Sequence, residues 1–335
     1  VAGGTVFSTL SGSSMANTAL LGTTLMPEMQ KRGYHRSMAM GPILGTGGIA
    51  MLIPPSSLAV LLGSLSGISI AGILIAGAIP GVIMAVVHFS YVMIRCKLNP
   101  TLAPAYDMPP MTAWERVRPV LIYVVPLLSL FGVVVGSILV GVATPTESAS
   151  LGALGAVVAA ACYRGLTWKG LWRAMVETGK LTVMIYFIIA ASLTFSQILS
   201  FSGATAGLLS LMREIDPTPL SLIFGMMILM LVMGCFMDPV SIMLITLPFF
   251  IPIAEVIKID LIWFGVLMLL ALEIGQTTPP FGMLLFVMRG VAPPSITMKH
   301  IYAAVTPFVL LEIGILLFLV LVPEAVTWLP ELMAG

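Results

Sequence analysis

The sequence predicts an all-α, polytopic transmembrane protein built from two inverted repeats, each with a re-entrant hairpin and a broken helix. Composition is the first reason: 59% of the 335 residues are hydrophobic and 9% charged, with a mean hydropathy of +1.10. Soluble domains carry about 25% charged residues, which excludes a water-soluble reading. A duplicated proline pattern is the second. Pro54-Pro55 returns as Pro279-Pro280, and Pro27 and Pro252 stand at the same offset. Proline lacks the amide proton and clashes with the preceding turn, so each pair breaks the apolar helix that holds it. In hydrocarbon such breaks persist only where protein or a polar cavity covers them. Matched breaks in two halves point to a solute site between them.

Apolar runs of about 20 residues predict spans over residues 37–62 (through the Pro54 break), 70–94, 119–140, 148–163, 181–200, 259–288 (through the Pro279 break) and 301–322. Residues 1–26 and 220–252 differ. Each holds two apolar pieces around a polar tip, Ser11-Gly12-Ser13-Ser14 and Asp238-Pro239, and reads as a hairpin that enters and leaves on one side. With residues 27–36 in the cytoplasm, only Arg213 and Lys258 of the 15 lysines and arginines fall outside, a strong positive-inside bias. The first hairpin then opens from the cytoplasm and the second from the opposite side. Residues 95–118, with Pro100, Pro104, Pro109 and Pro110, form the longest linker, and residues 168–180 read as an amphipathic segment along the interface. The chain thus divides into 1–69 (first hairpin and broken helix), 70–200 (helices and linker), 201–290 (second hairpin and broken helix) and 291–335 (last helix and tail). By comparison of the repeats, on the order of 110 residues, several helices' worth, are expected ahead of Val1.

Net charge is +1, too small to argue for nucleic acid, and the three cysteines (Cys96, Cys162, Cys235) lack metal or redox spacing and read as packing residues. The polar groups at membrane depth cluster at the tips and breaks. In the first half these are Ser11 to Thr18, then Gly45-Thr46-Gly47-Gly48, then Ile53-Pro54-Pro55-Ser56-Ser57. Freed carbonyls and hydroxyls there suit a hard cation, and half-helix starts near Ser13 and Ser56 suit an anion. Candidates for the solute are Ser13, Ser14, Asn17, Ser56, Ser57 and Thr278. The competing reading is that small residues serve close helix packing. Asp238 reads equally as a cation ligand or as the N-cap of the following half-helix. Glu273, beside the second break, and Glu312, in the last span, read as protonated or bonded to a neighbouring helix. Thr144-Pro145-Thr146-Glu147 reads as a well-capped helix start. His35 and His300 fall at cytoplasmic ends, and His88 reads as a satisfied helix-face residue.

Six motifs occur in order: Ser11-Gly12-Ser13-Ser14, residues 27–34, Ile53-Pro54-Pro55-Ser56, Thr144-Pro145-Thr146-Glu147, Asp238-Pro239, and Leu272-Glu273-Ile274-Gly275 with Thr278-Pro279-Pro280. On these the chain resembles the large membrane subunit of tripartite ATP-independent periplasmic (TRAP) transporters, over essentially its whole length. The resemblance implies a sodium-coupled importer of a small organic acid, such as a C4-dicarboxylate or sialic acid, in a bacterial inner membrane. It also implies an elevator mechanism, a small four-helix membrane subunit, a periplasmic solute-binding protein, and no cofactor beyond sodium. The family's sodium sites fall on Ser11, Ser13, Ser14, Gly45, Thr46, Ile53, Pro54, Asp238, Gly275, Thr277 and Thr278. The chain departs from the family at its start and at Ser148, where alanine is expected. In this picture the hairpins and broken helices move, while 70–94, 119–140, 181–200 and 301–322 are scaffold. An intramembrane enzyme is disfavoured, since no HExxH occurs and Asp238 is the one Asp placed at depth. The alternative is a proton-coupled or citrate-type inverted-repeat carrier with Glu273 and Glu312 as proton sites.

Overall fold

The computed structural model describes residues 12–54, 56–104, 112–203, 207, 210 and 217–334, and no strand occurs among them. Ser11, Pro55 and most of the first hairpin's entry lie outside the described residues. In chain order the helices are α1 (Ser14–Lys31), α2 (Arg36–Leu52), α3 (Ser57–Ser66), α4 (Ile70–Leu98), α5 (Ala113–Pro119), α6 (Val125–Leu139), α7 (Pro145–Cys162), α8 (Trp168–Phe201), α9 (Pro219–Gly234), α10 (Pro239–Val256), α11 (Leu261–Thr277), α12 (Met283–Val291), α13 (Met298–Leu321) and α14 (Glu324–Ala334). Most start as their sequence dictates. Ser13, Ser56, Ser69, Thr112, Thr144 and Asp260 each accept a backbone N–H from the first turn, satisfying a donor the helix cannot.

Among the described residues four helices are long and apolar enough to cross a membrane: α4, α8 over residues 168–195, α10 and α13. The pair α2 and α3, bent by 40° at the Pro54 break, makes a fifth. The second break lies between α11 and α12, across Thr278–Gly282.

The chain divides into two compact units. The first comprises Val1–Met111, Leu220–Ile242 and Lys258–Gly335. Its centre is α2 and α11, in which every residue from Met38 to Leu52 and from Trp263 to Thr277 is buried. A helix apolar all round belongs inside, so these two are core, and the helices around them are two-faced. On α4, Val82, Val86, Phe89 and Met93 are exposed, while Ile73, Gly77, Pro80, Gly81, Met84 and His88 face inward. α13 repeats this pattern, burying Phe308, Glu312, Ile315 and Leu319 and exposing Leu310, Leu317 and Leu321. Such exposed apolar stripes suit lipid contact. Phe308 fits against α2 because Gly41 and Gly45 carry no side chain; a Cβ at Gly45 would lie 2.4 Å from its ring. α4 and α13, read from sequence as scaffold, therefore pack in the same unit as both broken helices.

The second unit comprises Thr112–Pro219 and Met243–Ile257. Here α5 continues through a π turn (Val120–Val124) into α6, and α6 packs against α7. Ser148 is buried, and its hydroxyl meets that of Ser137 at 2.7 Å, which accounts for a hydroxyl where the family resemblance expected alanine. Separate segments at 168–180 and 181–200 are replaced by one helix, α8, of 34 residues. No proline interrupts it, so nothing stops the helix at Lys180. At ~1.5 Å per residue it outreaches a hydrocarbon core of ~30 Å. The packing role expected of the cysteines holds for buried Cys235 but not for Cys162, which is exposed.

Candidate functional site

A small cavity of about 160 Å³ lies in the first unit where five helix ends meet. At ~30 Å³ per water it holds about five. Three of the ends are N-termini: Gly12, Ser13, Ser14 and Met15 at α1; Ser57 and Leu58 at α3; Asp238, Pro239 and Val240 at α10. The other two are C-terminal turns, with Met51 from α2 and Gln276 from α11. N-termini present free N–H groups and partial positive charge, and C-termini present free carbonyls and partial negative charge. A cavity bounded by both suits an anion and a cation side by side.

The repeat shows itself in contacts. Gln276 Nε2 lies 3.8 Å from Met51 Sδ, between positions 225 residues apart, the spacing that relates the proline pairs. Gly48 and Glu273 share that spacing, and a Cβ at Gly48 would lie 2.7 Å from Glu273 Cγ. Corresponding positions of the two halves thus meet where α2 packs against α11. Ser13 and Asp238 also correspond. Ser13 accepts the Ala16 amide at 3.4 Å, and Asp238 accepts the Ser241 amide at 3.0 Å together with the Ser241 hydroxyl. Asp238 is thus the N-cap of α10 and part of the cavity wall at once.

The other expected residues divide into groups. Ser13, Ser14, Ser57 and Asp238 line the cavity. Ser57 also donates to the Gly12 carbonyl at 3.1 Å, tying α3 to the start of α1. Ser56 caps α3 through the Ala59 amide at 3.2 Å, and Ile53 and Pro54 form the break itself. Thr278 ends α11 with its hydroxyl on the Ile274 carbonyl at 2.6 Å. Gly45 lies against Phe308, and Thr46 bonds the Pro42 carbonyl at 2.7 Å beside a separate apolar cavity. Gly275 meets Gly234 backbone to backbone, with 2.6 Å from a built Cβ to the facing Cα. Thr277 is buried, 3.5 Å from Glu312. Asn17 lies a turn below Ser14, fully buried and with neither amide atom hydrogen-bonded. Ser11 lies outside the described residues.

Met51 and Gln276, which the sequence did not single out as site residues, also line the cavity. The signal was available: both stand three residues before their proline pair, in corresponding places of the two repeats. His88, read from sequence as a satisfied helix-face residue, lies against the Gly45 backbone. It is 0% exposed, its Nε2 has no hydrogen-bond partner, and that atom stands 3.6 Å from Glu312 Oε1. Its ring meets that of Phe308 edge-on, with centroids 5.2 Å apart. Among the described residues no three His, Cys, Asp or Glu side chains gather as a metal site.

An apolar helical protein with duplicated helix breaks around a small cavity bounded by helix ends belongs to the class of membrane carriers. Residues 1–325 match the family described as the Tripartite ATP-independent periplasmic transporter, DctM component, and the chain belongs to that family. It is similar to the C4-dicarboxylate TRAP transporter large permease protein of Pseudomonas aeruginosa, with 31% identity over 97% of this chain and 75% of the relative. The ectoine/5-hydroxyectoine TRAP transporter large permease protein of Ruegeria pomeroyi is 30% identical over 98% of this chain and 75% of its own length. The 2,3-diketo-L-gulonate permease protein of Escherichia coli is 29% identical over 96% and 74%. The chain is accordingly a multi-pass inner-membrane TRAP large permease, a transport subunit and not an enzyme.

Proposed function

We propose that this permease imports a small carboxylate-bearing solute, driven by sodium, through the cavity where the ends of α1, α2, α3, α10 and α11 meet. The observation that carries the reading is that convergence of three helix N-termini with two C-terminal turns. The N-termini supply N–H groups for a carboxylate, and the C-terminal carbonyls with Ser13, Ser14 and Asp238 supply oxygen for sodium. The relatives are named for C4-dicarboxylates, ectoines and 2,3-diketo-L-gulonate, all small solutes that carry a carboxylate. The moving body in an elevator-type cycle is the first unit as a whole, α4 and α13 included, since these two are packed onto the broken helices. A solute-binding protein and a small membrane subunit complete the tripartite transporter.

The test is uptake into proteoliposomes holding the full-length permease with its two partners, using a panel of small carboxylates at varied sodium. Ser13→Ala and Asp238→Ala are expected to raise the half-saturating sodium concentration several-fold. Each removes an oxygen from the cavity wall and a cap worth ~1 kcal/mol. A sodium activation curve unchanged in both variants would overturn the placement of sodium here.

A further inference from the structure

The inward face of α4 runs out of partners before the helix ends. Pro80, Met84 and His88 are buried on it. Tyr91, Arg95 and Leu98 follow on the same face at spacings of three and four, yet Arg95 is exposed and Leu98 is 81% exposed. There Tyr91, Ile94, Arg95, Leu98 and Asn99, with Leu102 of the turn that follows, line a cavity of about 440 Å³. That is more than twice the solute cavity and within the ~300–1,000 Å³ of ordinary ligand sites. Its charged lining group is Arg95. Arg95 Nη1 donates to the Tyr91 hydroxyl at 2.7 Å, and the guanidinium carbon stands 5.8 Å from the centre of that ring. Tyr91 is itself held, its ring meeting Phe308 edge-on at 5.2 Å. Among the described residues no carboxylate pairs with Arg95. The guanidinium is therefore oriented by an aromatic neighbour, with donors left for a ligand.

The surroundings carry one sign of charge. The His35 amide donates to the Leu102 carbonyl at 3.0 Å, and Gly33 lies against Pro104, so the turn between α1 and α2 abuts the rim of the cavity. That turn and the end of α4 bring Lys31, Arg32, Arg36, Arg95 and Lys97, all exposed. The acid beside them is Glu28, which Arg32 takes at 2.8 Å. A helix C-terminus accounts for about half an elementary charge, far less than this surplus. Cations at cytoplasmic ends also orient a membrane protein, but orientation asks for neither a cavity nor a guanidinium fixed by a tyrosine.

We propose that this cavity binds an anionic phospholipid of the surrounding leaflet, with its phosphate on Arg95 and its apolar portion along Tyr91, Ile94 and Leu98. At ~1.5 Å per residue the 29 residues of α4 outreach a hydrocarbon core of ~30 Å, which puts its last turns among the headgroups. Guanidinium offers paired N–H groups to phosphate oxygens, and anionic headgroups attract cations at this level. A free anion would satisfy Arg95 but leave Ile94 and Leu98 uncovered; a lipid covers both. Phe308, which holds Tyr91, also fits against Gly41 and Gly45 of α2. A lipid held here thus braces the unit that carries the solute cavity.

The test titrates purified full-length protein in detergent with phosphatidylglycerol, with phosphatidylcholine and inorganic phosphate in parallel. Lipid retention is read by native mass spectrometry and stabilisation by thermal unfolding, neither of which depends on the solute or ion carried. Phosphatidylglycerol is expected to be retained in preference to phosphatidylcholine and to raise the unfolding temperature. Arg95→Gln is expected to weaken its binding about fivefold, the worth of one cation at an anionic surface. Tyr91→Phe keeps the ring on Phe308 and removes the hydroxyl, and is expected to weaken binding to a smaller degree. Lys169→Gln removes an equal charge from the exposed start of α8 and is expected to leave binding unchanged. Equal retention by wild type and Arg95→Gln would overturn the proposal. An equal loss in Lys169→Gln would overturn it too, by marking general attraction to the surface. So would the lack of any preference over phosphatidylcholine, and stabilisation by inorganic phosphate equal to that by phosphatidylglycerol would replace the lipid with a free anion.

Discussion

Replacing Gly48 with alanine puts a methyl carbon where Glu273 already lies. A Cβ at Gly48 would stand 2.7 Å from Glu273 Cγ and 2.9 Å from Oε1, against ~3.5–4.0 Å for carbons in favourable contact. Relief needs a displacement of roughly 1 Å. Glu273 cannot supply it cheaply, because it is 0% exposed and is tied to the Ser14 hydroxyl at 3.0 Å. Overpacking costs about 1–3 kcal/mol, and stripping a buried group of its hydrogen bond adds ~1–3 kcal/mol if the tie breaks. Alanine's better helix propensity returns ~1 kcal/mol. A net destabilisation of about 1–5 kcal/mol is expected where the tie breaks, and relative to a glycine-to-alanine control that shares the propensity gain it is at least ~1 kcal/mol in either case. The assay is thermal unfolding of the purified protein in detergent at a single scan rate, which irreversible unfolding demands. Gly225→Ala serves as the control, since a Cβ there meets nothing within 4 Å. In the Gly48→Ala, Glu273→Ala double variant the clash is gone, so the two substitutions should couple by at least ~0.5 kcal/mol. A Gly48→Ala scan indistinguishable from the control, or strict additivity in the double variant, would refute the close crossing of α2 and α11.

Two further outcomes are expected. Trp263 Nε1 donates to the Leu319 carbonyl at 2.8 Å inside the first unit, so Trp263→Phe should lower stability by ~1 kcal/mol or more; an unchanged unfolding temperature would rule that bond out as a stabilising contact. At the start of α7 the Thr144 amide and hydroxyl both donate to Glu147 Oε2 at 2.8 Å. The amide bond first, and the hydroxyl second, hold the Glu147 carboxyl below its usual range. A carboxyl lowered on folding stabilises fully above its unfolded value, ~4.3, and that contribution is lost as pH falls through the folded value. Amide exchange in the first turn of α7 should therefore quicken on acidification below about pH 4, and Glu147→Gln should abolish that acid dependence. Equal acid sensitivity in wild type and variant would contradict the cap.

How far the sequence could be read depends on which residues one asks about. Pro54 and Pro279 mark the two breaks because proline's geometry acts locally, whatever surrounds it. Ser13, Ser56 and Thr144 announce helix starts for the same reason. Gly45, Thr46 and Gly275 carried no such local signature. From sequence a glycine reads alike at an ion site and at a helix crossing, and only the facing ring of Phe308 and the backbone at Gly234 tell which contact each one makes. That Gln276 faces Met51 was not legible, because it is a relation between residues 225 positions apart. The uninterrupted run of α8 differs in kind, since polarity changes at Lys180 while the backbone stays helical from Trp168 to Phe201.

The chain by itself determined that it lies in a membrane, that it is doubled, and where its helices must open, because hydropathy, repetition and proline sterics are properties of short stretches. Tertiary structure decided which openings face each other, that α4 and α13 join the broken helices, that Ser14 bonds Glu273, and that Glu312 faces His88 and Thr277. Those outcomes depend on how side chains from distant segments fill common space, and no local pattern encodes them.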